Sequence, residues 1–105
     1  MRTWSGKLAS LLLVGLIVQG SAQAADVFSG ERIYSKLCVG CHGSGGGGQS
    51  AMPGAPSFAR GQTLMRPDGA LLQTLRNGKN AMPAYLGVLD DYEMLDVIAY
   101  LRTIR

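Results

Sequence analysis

Histidine and cysteine are scarce in these 105 residues: there is one histidine and there are two cysteines. A structural zinc site takes four ligands of those types, so three such residues cannot build one. No apolar run reaches the ~20 residues a helix needs to cross a bilayer; the run Leu8 to Val18 is well short of it. Lys and Arg nowhere form a run interleaved with aromatics, the footprint a nucleic-acid binder needs. No stretch alternates apolar and polar residues with a strand period, so the fold reads as all-α. No nucleophile–base pair and no constellation of carboxylates suggests catalysis. The run Gly43 to Gly48 formally fits G-x-G-x-x-G, but no strand precedes it and no helix is signalled after it. No Gly-Lys-Ser/Thr follows either, so a phosphate loop is rejected.

The start of the chain has a different composition from the rest. Arg2 and Lys7 precede the apolar run, which only Ser10 and Gly15 interrupt, and Ala22-Gln23-Ala24 supplies small residues where a signal peptidase reads. This pattern predicts a secretory signal peptide over residues 1–24, cut after Ala24. The alternative, an uncleaved anchor, is opposed by the shortness of the run. No cysteine sits at the cut, so no lipid anchor is indicated. Removing Arg2 and Lys7 leaves eight basic residues against seven acids and lowers the net charge from +3 to about +1. The basic character of the full chain therefore belongs to the leader. Residues 25–105 form one small domain, marginal on its own apolar core.

What the domain does have is Cys38-Val39-Gly40-Cys41-His42. This is C-x-x-C-H, the attachment signature of a c-type haem. Two thiols three positions apart on one turn can each form a thioether to a haem vinyl group, and the next imidazole then lies where it can bind the iron. The same residues leave open a redox dithiol, which wants a βαβ context absent here, and a simple disulfide in an exported protein.

Helical spacing surrounds the motif. Val27 to Leu37 places Val27, Ile33, Tyr34 and Leu37 on one face, with Asp26 or Ser29 as cap. Gly30 and Tyr34 stack on one side of that helix, and Gly30 permits close approach of another helix. Gly43 to Ser50 reads as a loop, and Met52 to Phe58 as an extended segment set by Pro53 and Pro56. Leu71, Leu72 and Leu75 mark a helix between Pro67-Asp68 and Asn77-Gly78. The segment around Met82-Pro83 reads as a second extended loop. Leu89 to Ile104 is the clearest helix, with a capping-box pattern at Asp90 and Glu93, acids at its start, Arg102 and Arg105 at its end, and a stripe of Met94, Val97, Ile98, Leu101 and Ile104. Tyr100 lies near enough to that stripe to pack on the first helix beside Gly30.

On these residues the chain resembles the class I cytochromes c in their small bacterial form, over essentially all of residues 25–105. The resemblance implies an all-α fold of three to four helices and long loops wrapped around one covalently attached haem, with terminal helices crossing near glycine and aromatic residues. It implies cofactor attachment through Cys38 and Cys41, and iron held by His42 and a methionine. His42 is the only imidazole in the sequence. Met52, Met65, Met82 and Met94 are open as the methionine. Met94 sits on the apolar stripe and reads as core filler, Met52 lies in the loop that serves the histidine side, and Met65 falls in an unpatterned stretch. Met82 lies in an irregular loop that Pro83 keeps extended, and it matches the family's ligand position. Pro56 matches the proline whose carbonyl accepts from the histidine's other ring nitrogen, and Phe58 would line the pocket.

The function so implied is that of an exported monohaem electron carrier, periplasmic and monomeric, and not an enzyme. It would shuttle single electrons between redox protein partners, with no nucleic acid bound and no membrane span after signal cleavage. Arg60, Arg66, Arg76 and Lys79 would either steer acidic partners to the haem edge or form an ordinary solvated surface. Two rival readings stay open: a haem enzyme or gas binder with a free sixth position, and a redox subunit of a larger complex.

Overall fold

Asp26, in extended conformation, opens the first helix, its carboxylate accepting from Phe28 N (2.9 Å) and Ser29 N (3.2 Å). The computed structural model describes Gly15 and residues 24–44, 52, 54–56, 58 and 62–104. The predicted leader apart from Gly15 and Ala24, most of the glycine-rich run, Arg60 and Arg105 lie outside them. Among the described residues four α-helices follow in order: α1 (Val27–Leu37), α2 (Val39–His42), α3 (Asp68–Asn77) and α4 (Asp91–Leu101), with a 3₁₀ turn at Thr63–Met65 before α3. No strand occurs among the described residues; the only pairings are two isolated bridges, Lys79 with Met82 and Leu86 with Leu89. No described helix is long and apolar enough to cross a membrane.

The all-α expectation and the spans of α1 and α3 hold. The last helix is shorter than the predicted Leu89 to Ile104. Asp90 must be extended to cap, so helix begins after it; its carboxylate accepts from Glu93 N (2.8 Å) while the Glu93 side chain accepts from Asp90 N (3.1 Å). At the other end Ile104 N bonds Leu101 O in a turn outside the helix. Leu37 is also corrected: it is 42% exposed and does not share the buried face of Tyr34.

The helix pair α1·α4 forms the frame. Gly30 faces the backbone of α4 so closely that a Cβ there would collide with the Asp96 carbonyl and lie 2.9 Å from Tyr100 Cβ. Absence of a side chain therefore sets the crossing distance. Asp26 N donates to Asp96 Oδ1 (2.7 Å) beside the crossing, and the rings of Tyr34 and Tyr100 meet at 5.5 Å. Tyr34, Phe58, Leu64, Leu71, Val97, Ile98 and Leu101 form the buried cluster. Arg102, at the end of α4 as the dipole favours, also ties α4 to the start of α3. It donates to Asp68 Oδ1 (2.6 Å from Nη2), Leu64 O (2.6 Å) and Arg66 O (3.0 Å).

Candidate haem site

The site begins where α1 stops. Cys38 N still donates to Tyr34 O (2.9 Å), and the chain then turns into the short helix α2. His42 N donates to Cys38 O (3.0 Å), so Cys38, Cys41 and His42 sit at the i, i+3 and i+4 positions of one turn, on one side of it. Gly43, at φ 86°, ends the turn in a conformation that suits glycine. Tyr34 Oη donates to Gly43 O (2.6 Å) and fixes the exit of the chain. The sequence patterning did not find α2; its four residues are too few for a periodic signal, and only the motif marks it.

Neither Cys38 nor Cys41 is joined in a disulfide, and both are half-buried. Burial first, and the neighbouring Cys41 second, push the Cys38 thiol up to about 11.

His42 is 9% exposed. Its Nδ1 lies 3.2 Å from Pro56 O. A carbonyl can only accept, so Nδ1 is the ring nitrogen that donates, which in a neutral imidazole leaves the lone pair on Nε2. The Phe58 ring lies 4.7 Å from the imidazole, tilted by 32°, and is itself buried. Ring orientation is therefore set by Pro56 and Phe58, as the resemblance implied for those two residues; the stretch before them is not extended as expected, since Ala55 N donates to Met52 O (3.2 Å) in a turn with Gly54 at φ 86°.

The methionines are in four different environments. Met94 is fully buried and Met65 is 84% exposed. Met52 is 39% exposed, and its N donates to Cys41 O (3.4 Å), so its segment lies against the turn bearing His42. Met82 is half-buried in a loop with its own scaffold. Lys79 N and O pair with Met82 O (3.1 Å) and N (2.9 Å) around a turn in which Asn80 has φ 53°. Gly78, at φ 75°, packs directly on this turn: a Cβ there would meet Met82 O at 2.6 Å and Ala84 N at 2.9 Å. Tyr85 N and Leu86 N then donate to Leu75 O (2.9 Å) and Arg76 O (3.3 Å) of α3. Finally Tyr85 Oη donates to Leu37 O (3.1 Å), at the end of α1 next to Cys38. Burial pushes the Tyr85 phenol up, and the Cys38 and Cys41 sulfurs add to the effect. The fold thus brings the Met82 loop to the Cys38 end of the motif and the Met52–Phe58 segment to its His42 end.

Of the basic residues considered for steering, Arg76 pairs with Asp91 (3.6 Å) and Arg66 donates to Thr74 Oγ1 (3.3 Å). Lys79 is exposed.

Residues 25–101 match the family described as cytochrome c oxidase, cbb3-type, subunit III. Cytochrome c6 of Thermosynechococcus vestitus (strain NIES-2133 / IAM M-273 / BP-1) is 38% identical over 93 residues, covering 89% of this chain and 81% of its own. The chain belongs to the class I cytochromes c. Cytochrome c6 of Nostoc sp. (strain PCC 7120 / SAG 25.82 / UTEX 2576) is 33% identical over 99 residues, covering 90% of this chain and 89% of its own. The solved structure of cytochrome c6 from the diatom Phaeodactylum tricornutum superposes with a TM-score of 0.62 at 34% identity, covering 74% of this chain and 92% of that one. This cytochrome therefore has the class I all-α fold, carries one covalently bound haem c, and transfers electrons between redox partners rather than catalysing a reaction. The residues suit that group: two cysteines in no disulfide lie on one helical turn, and beside them an imidazole has one ring nitrogen held by Pro56 O and the other turned away from it.

Two contributors escaped the sequence reading. Tyr34 was placed on a packing face, but its hydroxyl also holds Gly43. Tyr85 was not singled out, although it is the one aromatic between Met82 and α4's cap.

Proposed function

We propose that this cytochrome is an exported, monomeric single-electron carrier in which Cys38 and Cys41 would hold the haem by thioethers and His42 and Met82 would bind its iron. The observation that carries the reading is the His42–Pro56 contact, because it leaves Nε2 as the free donor at the motif. The bound haem supplies an iron that cycles between ferric and ferrous forms. The protein does the rest by holding still. Pro56 O retains the proton of His42 Nδ1, which fixes the ring and raises its donor strength. Phe58 keeps water from that side. Met82 contributes a soft thioether, which favours ferrous iron and raises the potential. Met52 lies against the turn that bears His42, which supports Met82 as the methionine that would bind the iron. With His42 and Met82 both bound to the iron, no position would be open to a substrate, in keeping with a carrier.

Export follows from the predicted leader: cleavage after Ala24 would release residues 25–105 to the periplasm with Asp26 ready to cap α1. Donor and acceptor would be redox proteins that meet it in that compartment. Acid–acetone extraction combined with intact mass tests the core of the reading. Haem should stay on the polypeptide, and the mass should equal residues 25–105 plus one haem. Extractable haem overturns the thioethers, and a mass that starts at Met1 overturns the leader.

A further inference from the structure

The loop that carries Met82 is anchored almost wholly to α3. Its backbone bonds run to Thr74, Leu75 and Arg76, or stay within the loop, where Val88 N and Leu89 N both donate to Tyr85 O (2.9 Å each). The exception is the Tyr85 hydroxyl, which crosses 48 positions of sequence to Leu37 O, one residue before Cys38. That carbonyl belongs to the last turn of α1, where no intrahelical donor is available to it. Tyr85 is three residues from Met82, and the turn, Gly78 contact and Pro83 leave little slack between them.

We propose that Tyr85 is a positioning residue for the iron's methionine: its hydroxyl clips the Met82 loop to the Cys38 end of α1 and thereby sets how readily the thioether leaves the iron. This rests on Met82 being that ligand. α1 carries the attachment turn and α3 carries the loop. The distance between attachment point and methionine is thus a distance between two helices. A loop bonded to α3 alone would move with α3. One hydrogen bond to α1 makes the loop follow the attachment turn instead. Losing it leaves the Met82-bound state less favoured relative to the open one, and any external ligand that competes for the iron gains by the same factor. A neutral hydrogen bond of ordinary net strength corresponds to a factor of roughly 3–10.

The test uses the mature haem-loaded protein and its Tyr85→Phe variant, which removes one oxygen and keeps the ring. Imidazole is titrated into the ferric protein while the methionine–iron charge-transfer band is followed. Tyr85→Phe should bind imidazole roughly 3–10-fold more tightly, with the band still present in the free protein. Tyr92→Phe, at an exposed tyrosine on α4, should bind as the parent does. In a Met82→Ala background Tyr85→Phe should change nothing, because no thioether remains to be displaced. Unchanged affinity in Tyr85→Phe, even with lowered thermal stability, overturns the proposal and leaves Met82 ligation standing. An equal gain in the Met82→Ala background also overturns it, since Tyr85 would then act on the pocket itself. If the parent protein shows no methionine band, the ligation reading falls, and this proposal with it.

Discussion

Replacing Gly30 by alanine tests the helix crossing that supports the whole site. In an isolated helix the change is favourable by about 1 kcal/mol. Here the added methyl would enter the Asp96 carbonyl of α4 and press on Tyr100 Cβ at 2.9 Å. These are backbone and Cβ atoms of a hydrogen-bonded helix, so no side chain can rotate away. Overpacking of this kind costs about 1–3 kcal/mol, and the unyielding neighbour argues for the upper figure. Separating the helices also weakens the Tyr34–Tyr100 ring contact, a pair class worth about 0.5–1.5 kcal/mol, and stretches the 2.7 Å bond from Asp26 N to Asp96. The net expectation is a loss of about 2–3 kcal/mol. For a domain of roughly 80 residues, at about 4–8 °C per kcal/mol, Tm should fall by about 10–20 °C. Thermal unfolding of the haem-loaded protein at 222 nm reads this directly. Gly69→Ala is the control: it lies in the first turn of α3 with no atom within 4 Å of the new methyl. It should be neutral or stabilising by up to about 1 kcal/mol. A Gly30→Ala protein as stable as the parent would refute the reasoning, because the crossing would then not depend on the missing side chain.

Met82→Ala should abolish the methionine–iron band and lower the potential by on the order of 100 mV, a fraction of the ~0.8 V that axial ligands command; Met52→Ala should keep the band. Reversed outcomes would assign the ligand to the other loop. Arg102→Met removes the donor to Leu64 O, Arg66 O and Asp68 and should cost about 1–2 kcal/mol, discounted for the exposure of the Asp68 pair, seen as a lower urea midpoint. Asp90→Ala removes the carboxylate that accepts from Glu93 N and leaves the backbone bond from residue 90 to the Glu93 side chain; it should cost about 1 kcal/mol, with amide exchange rising at the start of α4 and not in α1. Reduced protein should bind carbon monoxide slowly or not at all near neutral pH; fast binding with a high-spin spectrum would favour an open sixth position.

The sequence by itself determined the elements and the chemistry at its centre. The spans of α1 and α3 were legible because caps and helix stops are local. Asp26, Pro67, Gly78 and the Asp90–Glu93 pair each act within a few residues of where they stand. The attachment motif was legible for the same reason, since two thiols and an imidazole within one turn need no distant partner. Gly30 could be read as a place of close approach, and Pro56 as a partner for His42, but only by resemblance or pattern. Tertiary structure decided what depends on which segments meet. It put Leu37 outside, although its spacing matched Tyr34, because α4 covers only part of the α1 face. It made Arg102 a clasp between α4 and the entry to α3 as well as a dipole complement. It separated four methionines of equal chemistry into a core filler, an exposed side chain, a brace beside His42 and a residue held in a scaffolded loop. It also joined Tyr85 to Leu37 across the fold. A hydrogen bond between residues so far apart has no period and no spacing to betray it; it exists only because α1 and α3 are packed where they are.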